Sequence, residues 1–422
     1  MSQNNLSMRV LLLTTAHSYR SEAFLRAAES LGIEVIRAVD MPPGLSQPAP
    51  GILPVTFNQP DEAAAAIAAF AERRPLTAIL SVDDSGALIA AQAAQALGLP
   101  HNAPEAAQAA RDKYIMRQML AAGGTAVPPF HNFSLAEAME QVTAIVRDKI
   151  GYPCVVKPRT LNGSRGVIRA NDDGELVTAV ARVHRLLQSF SGEAYLVEQF
   201  IPGFEVALEG VLADGRLHVL ALFDKPDPLD GPYFEETIYV TPSRLPPETQ
   251  DAIAEMAERG ARALGLQTGP VHAELRVNEA GPWSVEVNGR SIGGLCSRTL
   301  RFEMNMSLEE LLLRQACGLD VSSLQREEKA SGVMMIPIPQ AGILRGYSGL
   351  EAARQIPRID DIVITAPLNQ HIRPLPEGES YLGFIFASGK TPDEVETALR
   401  LAHGHLHFQI DEEIRLSVIG IQ

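Results

Sequence analysis

The chain has 422 residues, enough at about 150 per domain for two to three domains, and its 46% apolar content is that of a globular protein rather than a disordered or fibrous one. A net charge of −15 leaves no broad basic field for a nucleic acid or an anionic membrane surface, so neither is expected as a partner. Three scattered cysteines, Cys154, Cys296 and Cys317, form no CxxC pair, which argues against a disulfide framework or thiolate zinc site and for a reducing, cytoplasmic setting. No apolar run approaches the ~20 residues of a membrane span, and the polar residues 1–7 lack the basic run of a secretory leader.

Residues 8–13 read as a strand. Phe24, Leu25, Ala28 and Leu31 then recur at helical spacing up to Gly32, a helix stop, before a second strand at 34–38. A further strand at 77–82 leads through Asp83 and Asp84 into an alanine-rich helix ending at Gly98. This alternation predicts a small doubly wound domain over 1–100, and the lack of glycine in 14–20 leaves no case for a GxGxxG dinucleotide site. A helix over 106–121, the turn Gly123-Gly124, and proline-bounded strands at 127–129 and 152–158 open a second region, 101–324. Within it, Ser307 and Glu310 predict a capping box on a helix that stops at Gly318. The polar stretch 325–331 marks a boundary. Beyond it, 325–422 alternates strands at 333–338, 362–365 and 381–387 with a helix at 392–402, a compact α+β tail. Gly389-Lys390-Thr391 imitates a P-loop, but Phe384 stands where the motif requires glycine, and Thr391 with Glu394 reads better as a helix cap.

The residues suited to chemistry lie between 154 and 290. An apolar strand with Lys157 near its end precedes Asn162-Gly163-Ser164-Arg165-Gly166. There Gly163 and Gly166 let the backbone approach phosphate oxygens, Ser164 adds a donor, and Lys157 supplies a point charge. An exposed hairpin with a lysine has the same pattern. Glu198-Gln199-Phe200-Ile201, with Glu205 seven residues after Glu198, has backbone edges for a base and a carboxylate for a ribose, although two strands with surface glutamates fit equally. The sharpest pattern pairs His272-Ala273-Glu274-Leu275-Arg276 with Val285-Glu286-Val287-Asn288-Gly289-Arg290 across a turn. Period-two spacing puts Glu286, Asn288 and Arg290 on one face and Glu274 beside them, with Val285 and Val287 turned to the core. Two carboxylates and an amide oxygen are the hard ligands that Mg²⁺ needs, and a guanidinium can hold a developing oxyanion.

These motifs resemble the ATP-grasp superfamily of carboxylate-amine ligases, and within it the L-amino acid ligases of the bacilysin-synthetase type; biotin carboxylase and glycinamide ribonucleotide synthetase are more distant relatives. The likeness covers nearly the whole chain and implies an α/β ATP-grasp fold: an N-terminal doubly wound pre-ATP-grasp domain, the ATP-grasp core and a C-terminal α+β domain. It implies an ADP-forming enzyme that makes an amide or dipeptide bond through an acyl-phosphate, from a small carboxylate and a small amine. It also implies ATP and two Mg²⁺ ions, for which Mn²⁺ can substitute.

By the same resemblance, Lys113 and Lys157 hold phosphates, Glu198 and the backbone of Gln199, Phe200 and Ile201 hold adenine, and Glu205 the ribose. Glu274, Glu286 and Asn288 hold metal, Glu286 bridging two ions, while Arg290 stabilises the transferred phosphoryl group and the acyl-phosphate. Residues 231–239 resemble the segment that meets the amino-acid substrates through Tyr233, Glu236 and Tyr239; many relatives have histidine where Tyr239 stands, so no histidine role carries over. Gly293 and Gly294 resemble backbone amides that receive a substrate carboxylate. Such ligases are often dimers, although no coiled-coil signature is present. Two other readings stay open: a carboxylase-like enzyme that phosphorylates bicarbonate, for which the chain has no lysine-biotin carrier motif, and a non-catalytic ATP-binding sensor.

Overall fold

In the computed structural model, residues 8–16, 18, 20–41, 50–190, 192–321, 324–378 and 380–412 are described; the leader reading on residues 1–7 lies outside them. The chain divides into two compact units. One comprises Met1–Val127, Gly203–Phe223 and Pro242–Glu328, the other Pro128–Pro202, Asp224–Thr241 and Lys329–Gln422.

The first unit begins with a parallel sheet in the order Ile52–Val55, Glu34–Asp40, Arg9–Thr14, Ala78–Ser81. Residues Val10, Leu11, Leu12 and Leu13 are fully buried, as befits a central parallel strand covered on both faces. The helix Ser21–Leu31 stops where Gly32 turns left-handed (φ 66°) and its N–H reaches the Ala28 and Glu29 carbonyls. The expected doubly wound order is therefore present. The sequence reading missed the strand Ile52–Val55 and the helix Pro60–Arg73, whose alanine-rich stretch carries little periodic contrast.

The helix expected over 106–121 is two helices, Pro104–Arg111 and Lys113–Ala122. Asp112 breaks them. Its backbone is extended (φ −97°, ψ 109°), and its carboxylate accepts hydrogen bonds from the N–H groups of Tyr114 (2.9 Å) and Ile115 (3.2 Å). Lys113 thereby becomes the first residue of a new helix. Asp112→Ala is expected to cost about 1 kcal/mol, read as a lower urea midpoint at constant m-value; an unchanged midpoint would remove the capping role.

Further on, the strands Gly281–Asn288, Gly269–Asn278 and Phe204–Ala213 pair antiparallel in that order. Val206, Leu208, Val271, Ala273, Leu275 and Val287 point to one side and pack on Ile253, Ala257 and Ala261 of the helix Pro247–Ala263. Their alternation leaves the polar side chains on the opposite face. Val285 departs from expectation: Glu274 pairs with Glu286 but Leu275 pairs with Ser284, so Val285 is the extra residue of a β-bulge and is half-buried rather than in the core. The helix Leu308–Ala316 has the expected Ser307–Glu310 capping box.

The second unit contains an antiparallel sheet ordered Phe130–Ser134, Ala194–Gln199, Cys154–Pro158, Ile168–Ala170, backed by the helix Asp173–Gln188. Its first strand starts at Phe130, so residues 127–129 are not the strand expected there. A separate group of strands, Ile238–Thr241, Ala330–Ile336, Gly383–Gly389 and Ile359–Ile364, packs on the helix Pro392–Gly404, which Thr391 caps by accepting from the Glu394 N–H. The α+β character of the tail is as expected. Two strands there were not, namely Gly342–Ser348 and His371–Ile372. Among the described residues, no helix is long and apolar enough to cross a membrane.

Candidate functional site

In the first unit, the polar face of the Gly269–Asn278 hairpin gathers the residues with metal-binding chemistry. Glu274 and Glu286 are direct cross-strand partners, and His272 faces Asn288. The Lys113 ammonium, aimed by the helix it starts, stands 3.1 Å from Glu286 Oε1. Asn288 is 2% exposed, and its Nδ2 has no hydrogen-bond partner among the described residues. Glu205 reaches the same face from the neighbouring strand, a carboxylate oxygen within 4.8 Å of one from Glu274, while its other tie is to Arg276 Nε at 2.8 Å.

Arg290 lies two residues beyond the end of its strand and is fixed by contacts that no local pattern announces. Its Nε donates to Asp84 Oδ2 (2.7 Å) and its Nη1 to the Ser291 carbonyl (3.0 Å). Burial alone would lower its pKa, but Asp84, then Glu286 and Glu274, raise it, so it stays charged. Burial likewise works against a charged Asp84, and Arg290, with Lys113 farther off, holds its carboxyl below the usual range. A second guanidinium, Arg20, is 7% exposed and donates through Nη2 to Ser291 Oγ (2.7 Å). Burial and the charge of Arg290 depress its pKa.

A buried relay runs behind this face. Both oxygens of Glu209, itself fully buried, accept the Ile292 N–H (3.1 and 3.0 Å), and Oε2 also meets His272 Nδ1 at 3.1 Å. The other imidazole nitrogen lies 3.4 Å from Glu274 Oε1. Burial opposes a charged His272, yet its bonds to Glu209 and Glu274 raise its pKa to about 9. The two carboxylates thus favour the protonated imidazole, while burial raises the Glu209 carboxyl as well, so the pair shares a tightly held proton. One end of the relay touches Glu274, and the other holds the loop that carries Gly293 and Gly294. Gly294 is left-handed (φ 61°), and the space beside Gly293 is open.

The second unit holds the other expected residues. The Lys157 ammonium and the Glu198 carboxylate form a buried ion pair between neighbouring strands. Gly163, Ser164 and Gly166 all have positive φ (61°, 55° and 71°), and Arg165 N–H donates to the Asn162 carbonyl, which makes the segment a tight turn. Gly166 has no room for a side chain, since a Cβ would stand 2.6 Å from Pro158 Cγ. The N–H groups of Gln199 and Phe200 are already given to the carbonyls of Pro129 and Pro153 (2.9 Å each), so a base would meet these two residues through carbonyls. Above the Phe200 ring lies the Arg169 guanidinium at 4.3 Å, with Phe234 beside it.

Of the segment expected to meet substrate, Tyr233 is engaged by Arg182 through both its hydroxyl and its ring. Glu236 Oε1 accepts from Lys225 Nζ (2.5 Å) and from the Tyr239 hydroxyl (2.6 Å). Tyr239 is 2% exposed, so it bears on any ligand through Glu236. Lys225, equally buried, is a partner that the sequence reading did not name.

The family described as an ATP-grasp domain matches residues 150–299, the ATP-grasp N-terminal domain matches 25–101, and the L-amino acid ligase C-terminal domain 2 matches 334–411. A solved L-amino acid ligase from Bacillus licheniformis is similar at 26% identity with a TM-score of 0.78, over 96% of this chain and 99% of that one. The chain belongs to the ATP-grasp superfamily.

This ATP-grasp chain is also 28% identical over 247 residues to alanine–anticapsin ligase of Bacillus subtilis (strain 168), which is 54% of this chain and 51% of that protein. To carnosine synthase 1 of Gallus gallus it is 29% identical over 293 residues, 66% of this chain and 31% of that protein. It thus spans about half, or less, of the length of these curated relatives. The donor set of the ATP-grasp hairpin, two carboxylates and an amide oxygen, suits a hard divalent cation. Of the groups missed by sequence reasoning, Glu209 carried one signal, an acid inside the apolar run 206–212, while Arg20 and Asp84 stand among polar residues and carried none.

Proposed function

We propose that the chain is an ATP-dependent carboxylate-amine ligase that joins two L-amino acids, or an amino acid and a related small acid. The observation that supports this most is the hairpin face on which Glu274, Glu286 and Asn288 stand with Lys113 and Arg290. A substrate carboxylate oxygen attacks the γ-phosphorus of ATP; the new O–P bond forms as the bond to the β-phosphate oxygen breaks, and ADP leaves. The amine lone pair then attacks the acyl carbon, the C–O bond to phosphate breaks, and the amine releases its proton as the amide forms. Mg²⁺, two ions in this reading, supplies charge neutralisation on the transferring group, with Glu274, Glu286 and Asn288 as its holders. Lys113 and Lys157 share that task at the phosphates, and Arg290 holds the oxyanion. Glu198 and residues 199–201 take the adenine, and Glu205, oriented by Arg276, the ribose.

Substrate recognition is assigned to Tyr233, to Glu236 for an ammonium, and to the amides of Gly293 and Gly294 for a carboxylate. The reading includes three domains, 1–100, 101–324 and 325–422, in a cytoplasmic protein with no nucleic acid or membrane partner, and a homodimer as the assembly to check by light scattering.

The glycine turn at 162–166 is taken to fold over ATP and exclude water from the acyl-phosphate. Its hydrogen-exchange protection is expected to rise on adding Mg-ATP; unchanged exchange would count against that role. The reaction itself is tested with purified protein, Mg-ATP and pooled amino acids, following phosphate release and reading products by mass spectrometry. A dipeptide supports the reading and identifies the substrates. ADP release with bicarbonate alone, or ATP binding without turnover on any acid, sinks it.

A further inference from the structure

A fully buried acid destabilises a fold unless its partners compensate it, and Glu209 has two among the described residues, His272 and the Ile292 amide. Its neighbours on the same face of the strand, Ala207 and Val211, are buried and apolar. Both partners lead to the proposed reaction site. Strand register sets Glu209, His272 and Asn288 in one row across three strands, with Ala207, Glu274 and Glu286 in the next row on that face. His272 thus stands beside Asn288 and turns Nε2 to Glu274 Oε1 at 3.4 Å, while Ile292 immediately precedes Gly293 and Gly294. The loop has other ties, from Arg20 to Ser291 Oγ (2.7 Å) and from Ser297 Oγ to Glu309 (2.6 Å). Among the described residues neither Arg20 nor Glu309 hydrogen-bonds to the hairpin face, so the side chain that holds both the loop and that face is Glu209.

We propose that Glu209 is a positioning residue that sets two parts of the reaction site at once, orienting Glu274 through His272 and fixing the Gly293-Gly294 backbone through the Ile292 amide. The inference rests on the reading of Glu274 as a metal holder and of the two glycines as the carboxylate site. A group behind a metal ligand keeps its oxygen turned as the ion requires, and losing such a group typically weakens metal binding about 10–100-fold. Here the same acid also holds the loop, so the distance between the cation and the substrate carboxylate is set from the strand Phe204–Ala213 rather than by the loop's own residues. The two ends are separable. Removing His272 loosens the metal end and leaves the Ile292 amide on Glu209; removing Glu209 loosens both.

The test uses the full chain with ADP, titrated with Mn²⁺ by electron paramagnetic resonance, beside hydrogen exchange of 291–296 in the metal-free chain. In His272→Leu, Mn²⁺ affinity is expected to fall about tenfold or more, with loop exchange as in wild type. In Glu209→Leu/His272→Leu the affinity falls at least as far, and the protection of Ile292 is lost. That double variant replaces the whole buried pair by apolar side chains, a change that commonly leaves stability intact, so its losses report positioning. Metal-free ADP affinity and cooperative unfolding, both as in wild type, show that each variant is folded. Should an apolar variant not fold, His272→Asn and Glu209→Asp, which shorten the reach and stay polar, carry the same expectations. Glu209→Gln, with an acceptor for Ile292 and a donor for His272, is expected to restore most of both readouts. Mn²⁺ bound as tightly by the variants as by wild type, or Ile292 exchange unchanged without Glu209, overturns the inference. If wild type itself binds no Mn²⁺, the metal reading fails, and the exchange of Ile292 still decides the loop end.

Discussion

Arg290→Ala is expected to lower kcat by about 10²–10³-fold while nucleotide affinity stays within about threefold of wild type. Asp84 at 2.7 Å and the Ser291 carbonyl at 3.0 Å fix the guanidinium before any substrate arrives. An oriented cation in a buried setting stabilises charge as it develops without first reorganising, which is why its loss appears in the chemical step rather than in binding. The check is single-turnover phosphate release beside ADP binding by calorimetry. A kcat equal to that of wild type would remove Arg290 from the proposed reaction.

Glu286→Ala is expected to abolish measurable turnover at any practical Mg²⁺ concentration. Disturbing groups that only support a metal ligand typically costs about 10–100-fold, so removing the carboxylate proposed to bridge two ions should cost more. The change also strips Lys113 of the carboxylate 3.1 Å away. A magnesium titration of the rate separates the outcomes: a curve shifted to higher Mg²⁺ with full activity at saturation would assign Glu286 to affinity alone, and wild-type behaviour throughout would sink the metal assignment.

Much of this was legible in the sequence where the governing interactions are local. The helix stop at Gly32 and the Ser307–Glu310 box depend on residues a few positions apart, and they formed as read. The hairpin pairing of Glu274 with Glu286 followed from alternation and a short turn. Asp112 shows the limit of periodicity, because apolar spacing continues across it while one carboxylate, capping two amides, divides the helix. Val285 shows another, since a bulge resets alternation with no mark in composition. The Asp84–Arg290 and Arg20–Ser291 contacts join residues more than 200 positions apart, and local patterning carries no information about such pairs. In the segment at 231–239, Glu236 was expected to meet a substrate ammonium, but Lys225 already engages it, a competition visible only in three dimensions.

The double acceptor at Glu209 limits how this protein can diversify. Because the Ile292 amide is bound by both oxygens of a fully buried carboxylate that also holds His272, the loop from Ser291 to Cys296 cannot be exchanged as a cassette. A graft that displaced residue 292 would strand a buried charge, so it would have to bring matching residues for positions 209 and 272 from two other strands. Side chains at the loop's tip carry no such tie. At Gly293 a Cβ would meet no atom within 4 Å, so a side chain can be added there, at the proposed substrate carboxylate site, with the backbone left as it is.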